Sequence, residues 1–400
     1  MSLLRNWLGA GVLIACGAAA HAESYAPQGQ CAGFPRIALQ TPKGYCVALV
    51  ASAAQGLRFP RRVLEMSPGR YWIVDMGSWE PRKGRLLEMT FKPEATGDDR
   101  VRISVLAQGL DRPLGLAIGP DGKAYIGEAG RIWRTPTTGT VVQETVVDKL
   151  PDDGAHPLKE IAFGKAGQLF INVGSLTDAC RDDKGQQPLP CPELDPAKPR
   201  AAVYVAQLGG PQNALQSLRP WATGLRNSVA LAYVPGADVL LQGENSIDYP
   251  DAAAPVEELN VLVDGKHHGW PYCVGAKQPA RGYEKRFDCA STEAPQMLWP
   301  AHAAPLQLSV VPATPKSALA GQLLVVWHGY RTTSHRVISY ALDKSGKPTG
   351  TAKEWIAGWS AQAGVRPQGA PTGAMVDSAG RLWVVEDRNR TLLMMVRETP

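Results

Sequence analysis

Four things are missing from this chain of 400 residues: a Cys-x-x-Cys pair, a run of like charges, a sustained helical period, and an apolar run long enough to cross a bilayer. Each absence removes a class of protein. Without Cys-x-x-Cys, and with the cysteines away from His-rich stretches except for His267 and His268 near Cys273, a zinc site is a poor reading. No Cys-x-x-Cys-His occurs either, so an electron acceptor of the haem kind is expected to be a separate molecule. Lys and Arg number 42 against 37 Asp and Glu, a slight basic excess dispersed along the chain, which argues against nucleic-acid binding. The lack of a helical period leaves room only for short helical turns in the insertions.

What the chain does have is turns. With 41 Gly, 33 Pro and 44% hydrophobic residues it can bury a substantial core between many reversals, the composition of a turn-rich β protein. A polar turn with Gly followed by an apolar β-rich run occurs six times, around Gly69, Gly122, Gly167, Gly236, Gly321 and Gly380, for example SPGRYWIVDMG and SAGRLWVVEDR. Each copy follows another apolar segment that often begins after Pro or Gly, such as FPRRVLEM, HPLKEIAFG and APTGAMVD. Repeated hairpins at spacings of tens of residues predict a single all-β domain over residues 23–400, a six-bladed β-propeller of four-stranded antiparallel blades. Two β-sandwiches are the alternative, but no composition shift or linker marks a boundary. The residues just before the first strand of each blade should converge on one end of the central channel, where propellers bind ligands. Blades four and five are expected to carry the long insertions, 243–257 and 267–300, and the Pro-rich loop 176–200 is expected to overhang the site.

The first residues read as a secretion signal: Arg5, an apolar run from Trp7 to Ala20, and Ala20-His21-Ala22 before a mature start near Glu23. A rival reading takes Leu13 to Cys16 as a lipoprotein box with Cys16 lipidated. Either leads to a secreted or periplasmic, oxidising location without a membrane span. There the six remaining cysteines fall into three local pairs, and bridges Cys31–Cys46, Cys180–Cys191 and Cys273–Cys289 are expected, one of fifteen pairings. Each loop of this length adds about 3 kcal/mol in the chain-entropy model.

Chemistry concentrates between Ala222 and Pro271. ATGLRNSVALAY brings Arg226 and Asn227 to a loop just before a strand, and GENSIDYPD offers Glu244, Asn245, Asp248 and Asp251, hard oxygens of the kind that suit calcium. The order GLRN, GEN, EELN, GWP resembles the glucose/sorbosone dehydrogenase family, soluble six-bladed propellers that use pyrroloquinoline quinone (PQQ) and calcium. The likeness extends from about Gly56 to the C-terminus.

The resemblance implies roles. His156 in AHPLKEIAFG matches the family's general base, an imidazole that titrates near neutrality. Arg226 and Asn227 match the pair that binds the quinone oxygens, and Gly243 and Glu244 match the positions whose carbonyls bind calcium, with Asn245 and Asp248 as nearby ligands. PQQ carries three carboxylates, for which the last blades offer His328, Arg331 and Arg366 as cofactor-binding candidates. The chain also departs from the family. Ala370 stands where an Arg is usual, the fifth-blade Lys has no counterpart, Ala155 replaces an acid, and the Gly-Asp after the third-blade strand is Gly174-Ser175. Trp270, Tyr272 and Trp299 are candidates for lining the mouth. The leading expectation is an exported oxidoreductase acting on a small-molecule sugar, sugar aldehyde or related alcohol. A calcium-dependent propeller hydrolase of the lactonase kind, or a binding propeller that has lost PQQ, are the alternatives.

Overall fold

The computed structural model describes residues 25–182, 184–313, 316–329, 331–360, 365 and 367–398. The secretion-signal segment with Cys16, and Arg366, lie outside them. The described chain forms six antiparallel blades around a central channel. Blade one is built from Pro60–Ser67, Arg70–Asp75, Gly84–Phe91 and Val101–Leu110. Blade two follows with Leu116–Ile118, Ala124–Gly127, Ile132–Thr135 and Glu144–Val147, and blade three with Ile161–Phe163, Gln168–Val173, Ala202–Gly209 and Ala214–Thr223. Blade four comprises Ala230–Val234, Val239–Glu244, Glu257–Leu262 and Met297–Trp299; blade five comprises Pro305–Val310, Gln322–Trp327, Arg336–Leu342 and Pro348–Ile356. The six Gly turns of the sequence each sit between the first two strands of a blade.

Blade six closes the ring with both ends of the chain. Pro371–Val376, Leu382–Glu386 and Thr391–Arg397 take Tyr45–Ala51 as their fourth strand, with Val47 opposite Met395 and Cys46 opposite Val396. Pairing first and last segments in one blade closes the ring, while each blade keeps its own outer edge strand. The Cys31–Cys46 disulfide ties the preceding segment, Gln30–Cys31 with Phe34–Ile37, onto this closing strand. Cys180–Cys191 and Cys273–Cys289 are formed as well.

Between blades the core is apolar and layered. Tyr71, Trp383, Met89 and Leu392 pack the junction of blades six and one, and Leu241, Val325, Ile338 and Trp299 that of blades four and five. Successive strand residues face opposite sides, so the central strands, covered on both, read as continuous apolar runs such as QLLVVW.

At the axis one side chain joins the blades. Arg62 is 3% exposed and donates through Nη1 to the carbonyls of Arg61 and Thr372, and through Nη2 to those of Val229 and Leu306. Its Nε and Nη2 also meet the Glu160 carboxylate. Those partners lie in or directly before the first strands of blades one, three, four, five and six.

A second device recurs at the rim. The acid at or just after the end of the second strand turns inward and accepts a backbone N–H from the corner preceding the first strand. Asp75 takes Phe59 N at 2.8 Å, Glu128 takes Asp111 N at 2.6 Å, Glu244 takes Arg226 N at 2.6 Å and Glu386 takes Ala370 N at 2.7 Å. Buried backbone donors need such partners, and the clamps hold the corners still.

One expectation changes. Both long insertions belong to blade four, because the fourth strand of that blade, Met297–Trp299, pairs with Glu257–Leu259 only after the 267–300 segment has looped out.

Candidate functional site

The blade corners meet over a cavity of 710 Å³ at one end of the channel. Five blades supply the residue or pair that precedes the first strand: Phe59, His156, Arg226 with Asn227, Ala304 and Ala370. A second set comes from the residue directly after the second strand, namely Asn245, His328 and Asp387. Val229 and Leu306 form part of the floor, and because their carbonyls accept from Arg62, that guanidinium lies beneath it.

His156 has one ring nitrogen committed. Nδ1 lies 3.1 Å from the Ser175 carbonyl and 2.9 Å from Ser175 Oγ, whose own proton goes to Thr177 O at 2.6 Å. Both Ser175 atoms are therefore acceptors toward the ring, so Nδ1 carries the proton and Nε2 the lone pair. Burial, reinforced by the positive charge of Arg226, pushes the imidazole down to about 3. The ring is neutral at physiological pH, with a basic nitrogen available in the cavity wall. Ser175, one of the departures from the family pattern, thus sets the tautomer.

Arg226, 4% exposed, is held on all sides. Nε donates to Asp178 Oδ1 at 2.9 Å, Nη1 to the Asn245 carbonyl at 3.0 Å and Nη2 to Asp248 Oδ2 at 2.7 Å. Asp178 comes from the 176–200 loop, which docks through Cys180 and Cys191 against Tyr249, Trp270 and Tyr272. That loop reaches the site through one carboxylate.

The candidate metal residues fall in two groups. Gly243 and Glu244 sit in the strand behind the wall, Gly243 packed toward Pro305 and the Glu244 carboxylate turned onto Arg226 N and Gln242 Nε2. Burial and the neighbouring Glu258 raise the Glu244 carboxyl well above its usual range. Asn245 and Asp248 do line the cavity, but the Arg226 guanidinium occupies the space between the Asn245 carbonyl and the Asp248 carboxylate. Among the described residues, the ligand-type side chains gathered within 4.8 Å of one another are Cys180, Cys191 and Glu193, and the two sulfurs are already bonded together.

Across the cavity, Arg61 Nη1 pairs with Asp387 Oδ2 at 2.8 Å, and His328 Nε2 lies 3.2 Å from Asp387 Oδ1. Burial acts upward on Asp387, yet His328 and Arg61 together hold its carboxyl below the usual range. Arg388 is exposed at the rim, lines the cavity and makes no ion pair among the described residues. His335 is 2% exposed; its Nδ1 bonds the Gly369 carbonyl, and Nε2 has no partner among the described residues. Glu257, fully buried in the wall, accepts from Ser246 N and Ala304 N, and burial pushes it up to about 8. Arg331 is exposed and outside the cavity lining.

Sequence reasoning missed Arg61, Asp387, Arg388 and His335. The position after the second strand was readable: it aligns Asn245, His328 and Asp387, of which only the first two drew notice. Trp270, Tyr272 and Trp299 are core residues, 3%, 5% and 2% exposed. Trp270 and Tyr272 pack in the disulfide-stapled insertions, and Trp299 packs with Trp327.

No protein-family profile matches the chain. Among curated proteins it is similar to an uncharacterized protein of Borreliella burgdorferi, 23% identical over 222 residues or 51% of this chain. The chain spans about half the length, 53%, of that relative. Among solved structures it is similar to a Trichoderma reesei protein of carbohydrate-active enzyme family AA12. The iodide structure shows 18% identity and a TM-score of 0.72 over 93% of this chain and 100% of that one. The calcium structure shows 18% and 0.70 over 90% and 97%. The PQQ domain of a Coprinopsis cinerea pyranose dehydrogenase, in its holo form, shows 20% and 0.67 over 91% and 98%. At such identities the likeness is one of fold.

Proposed function

We propose that this chain is an exported oxidoreductase that oxidises a sugar, sugar aldehyde or related alcohol, with PQQ as hydride acceptor. The observation that carries the reading is His156, a neutral imidazole with Nδ1–H fixed on Ser175 and Nε2 open, facing a cavity that also holds three guanidinium groups. The named neighbours support it: the Coprinopsis cinerea domain is a PQQ domain of a pyranose dehydrogenase. Three disulfides suit an oxidising compartment.

The donor set fits a planar anion. Arg388 is an open cation, and Arg226 and Asn227 stand beside His156, while His328 on the far wall is engaged with Asp387. Arg61 and Arg226 are already met by carboxylates, so the cationic excess is small, and retention depends on Arg388 and on neutral donors. When bound, PQQ supplies the two-electron acceptor. The protein does the rest. His156 Nε2 takes the substrate hydroxyl proton as the C–H hydrogen leaves with its electron pair. Arg226 and Asn227 present fixed positive and amide dipoles where negative charge gathers. Burial is the larger depressant of His156 and the Arg226 charge the smaller, and an anion seated against Arg226 offsets only the smaller one. Electrons then pass to a separate acceptor.

Calcium fits less well. At Asn245 and Asp248 a guanidinium already fills the gap between the oxygens, which leaves the carbonyls of Gly243 and Glu244 as the candidate positions, and no step is assigned to the ion here.

The test is titration of purified protein with PQQ, with and without calcium. The expected result is a protein-bound quinone absorbance that bleaches on addition of an aldose or alcohol. Failure to bind PQQ in either condition refutes the reading, and binding that strictly requires calcium refutes the omission of the ion from the mechanism.

A further inference from the structure

Among the described residues, Trp79 is the one aromatic side chain in the set of exposed large hydrophobics, at 54%, and it lines the cavity. Its loop, 76–83, is not a loose tip. The Asp75 carboxylate, fully buried, accepts from Gly77 N at 2.9 Å, Phe59 N at 2.8 Å and Arg58 N at 2.9 Å, tying the Trp79 loop to the corner that carries Phe59. Gly77 sits at φ +73 with its α-carbon facing the Lys83 carbonyl so closely that a β-carbon would lie 2.1 Å from it. Only glycine closes the loop in this way. The chain therefore fixes the base of a loop and leaves a large apolar ring half in water at its end, an arrangement that costs solvation unless a ligand covers it.

From that ring a continuous surface runs along the wall. Trp79 meets Phe59 edge-on with centroids 6.5 Å apart, Phe59 lies 5.3 Å under the Arg61 guanidinium, and Arg61 leads to Asp387 and His328. Beyond them His335 lines the cavity, its Nδ1 proton spent on Gly369 and its Nε2 shielded from solvent. A ligand that matches this surface has a flat apolar face followed by O–H groups that both donate and accept. A polyhydroxylated ring has that chemistry, since its axial C–H face suits an aromatic ring and its hydroxyls suit mixed donors and acceptors. Blade one, which carries Trp79, stands three blades away from blade four, which carries Arg226, and so faces it across the channel axis.

We propose that Trp79 and Phe59 form a subsite for a second sugar ring, remote from the ring oxidised at His156, so that the protein prefers a disaccharide or glycoside over the corresponding monosaccharide. The inference rests on the oxidoreductase reading for the identity of the reacting end only. Binding at the subsite does not need the cofactor.

The experiment is isothermal titration of the full-length protein, cofactor-free and after PQQ loading, with cellobiose and maltose against glucose. A panel of Trp79→Ala, Trp79→Phe and Val142→Ser is measured alongside. The wild type is expected to bind at least one disaccharide more tightly than glucose. In Trp79→Ala the disaccharide-to-glucose affinity ratio falls roughly tenfold, an effect of the size expected for one lost ring stack. Trp79→Phe restores most of it, and Val142→Ser, exposed and outside the cavity, changes nothing. Equal losses for disaccharide and glucose, no rescue by Phe, or no preference in the wild type would each overturn the subsite. Disaccharide binding without any turnover on PQQ loading would leave the subsite standing and remove the oxidoreductase reading instead.

Discussion

Replacing Arg62 by Met tests whether one buried cation unites the propeller. Arg62→Met keeps the length and apolar stem of the side chain but removes the guanidinium, so the carbonyls of Arg61, Thr372, Val229 and Leu306 lose their donor together. The Glu160 carboxylate, which is fully buried, loses its counter-charge. Burial already raises Glu160 above its usual range, with Arg62 the largest influence opposing that rise. Without Arg62 it rises further, which favours the protonated acid over a bare buried charge. That relief sets the scale: breaking one side of a buried pair costs about 3–5 kcal/mol, not the far larger cost of an isolated ion. With an unfolding entropy of about 2.1 cal/mol/K per residue, a loss of 4 kcal/mol lowers the midpoint of a chain this long by about 5 °C. Differential scanning calorimetry at one fixed scan rate, supported by guanidinium titration with the disulfides intact, measures it. Arg62→Met/Glu160→Gln should recover part of the loss, because the unpaired acid is gone while the carbonyls stay unsatisfied. A loss below about 1 kcal/mol for Arg62→Met, or no recovery in the double variant, would refute the idea that this pair holds five blades to the axis.

Three further outcomes are expected. His156→Ala should reduce turnover about a hundredfold to ten-thousandfold while PQQ titration is little changed, whereas Arg226→Ala should weaken both; parallel effects at the two positions would count against the separate roles. Stability should rise to about pH 4.5, hold to about 6.5 and fall toward pH 8. Glu257 and Glu386, raised by burial to about 8, contribute stability that is lost as pH climbs through that value, while His156, at about 3, and His267, at about 4, are depressed by burial and favour the unfolded, protonated chain as pH falls below 6.5. A melting temperature that keeps rising from pH 6 to 9 would contradict this. Cys31→Ser/Cys46→Ser, which opens a loop of sequence separation 15, should cost about 3 kcal/mol and expose the closing strand of blade six to proteolysis first; cleavage starting in another blade would show that the clasp is not the weak seam.

The blades were legible because their signal is repeated and local. A Gly turn between two apolar strands is decided by a few adjacent residues, and six copies leave little freedom in how the chain closes. The pairing of the cysteines was legible on similar grounds, since short loops bring their own ends together. Assignment of the 267–300 insertion to blade five failed because a three-residue strand, Met297–Trp299, carries almost no pattern of its own and is defined only by the partner it finds.

The site was legible by position and less so by direction, and the acids show why. Asp75, Glu128, Glu244 and Glu386 occur at the same place in four blades, and each turns its carboxylate onto a backbone N–H of the neighbouring corner. Read one at a time, Glu244 beside Asn245 and Asp248 has the composition of an ion site. Read as a repeat, its carboxylate is the fourth blade's copy of a structural clamp, which leaves only its carbonyl for an ion, while Asn245, His328 and Asp387, one residue further along the same pattern, are the positions that face the cavity. The distinction is a matter of one residue in register: the clamping acid is held in the blade, and the residue after it is released into the loop at the channel mouth. Arg226 follows the same logic, because a guanidinium at a corner is pulled toward whatever oxygens the loops supply, and Asp178 arrives from a segment 48 residues away that no local pattern connects to it. Trp79 is the converse case. Its hairpin reads like any other polar turn, and its ring becomes informative only when the Asp75 clamp and the Phe59 corner place it over the cavity, so function at this mouth depends on contacts between blades that a single blade's sequence cannot contain.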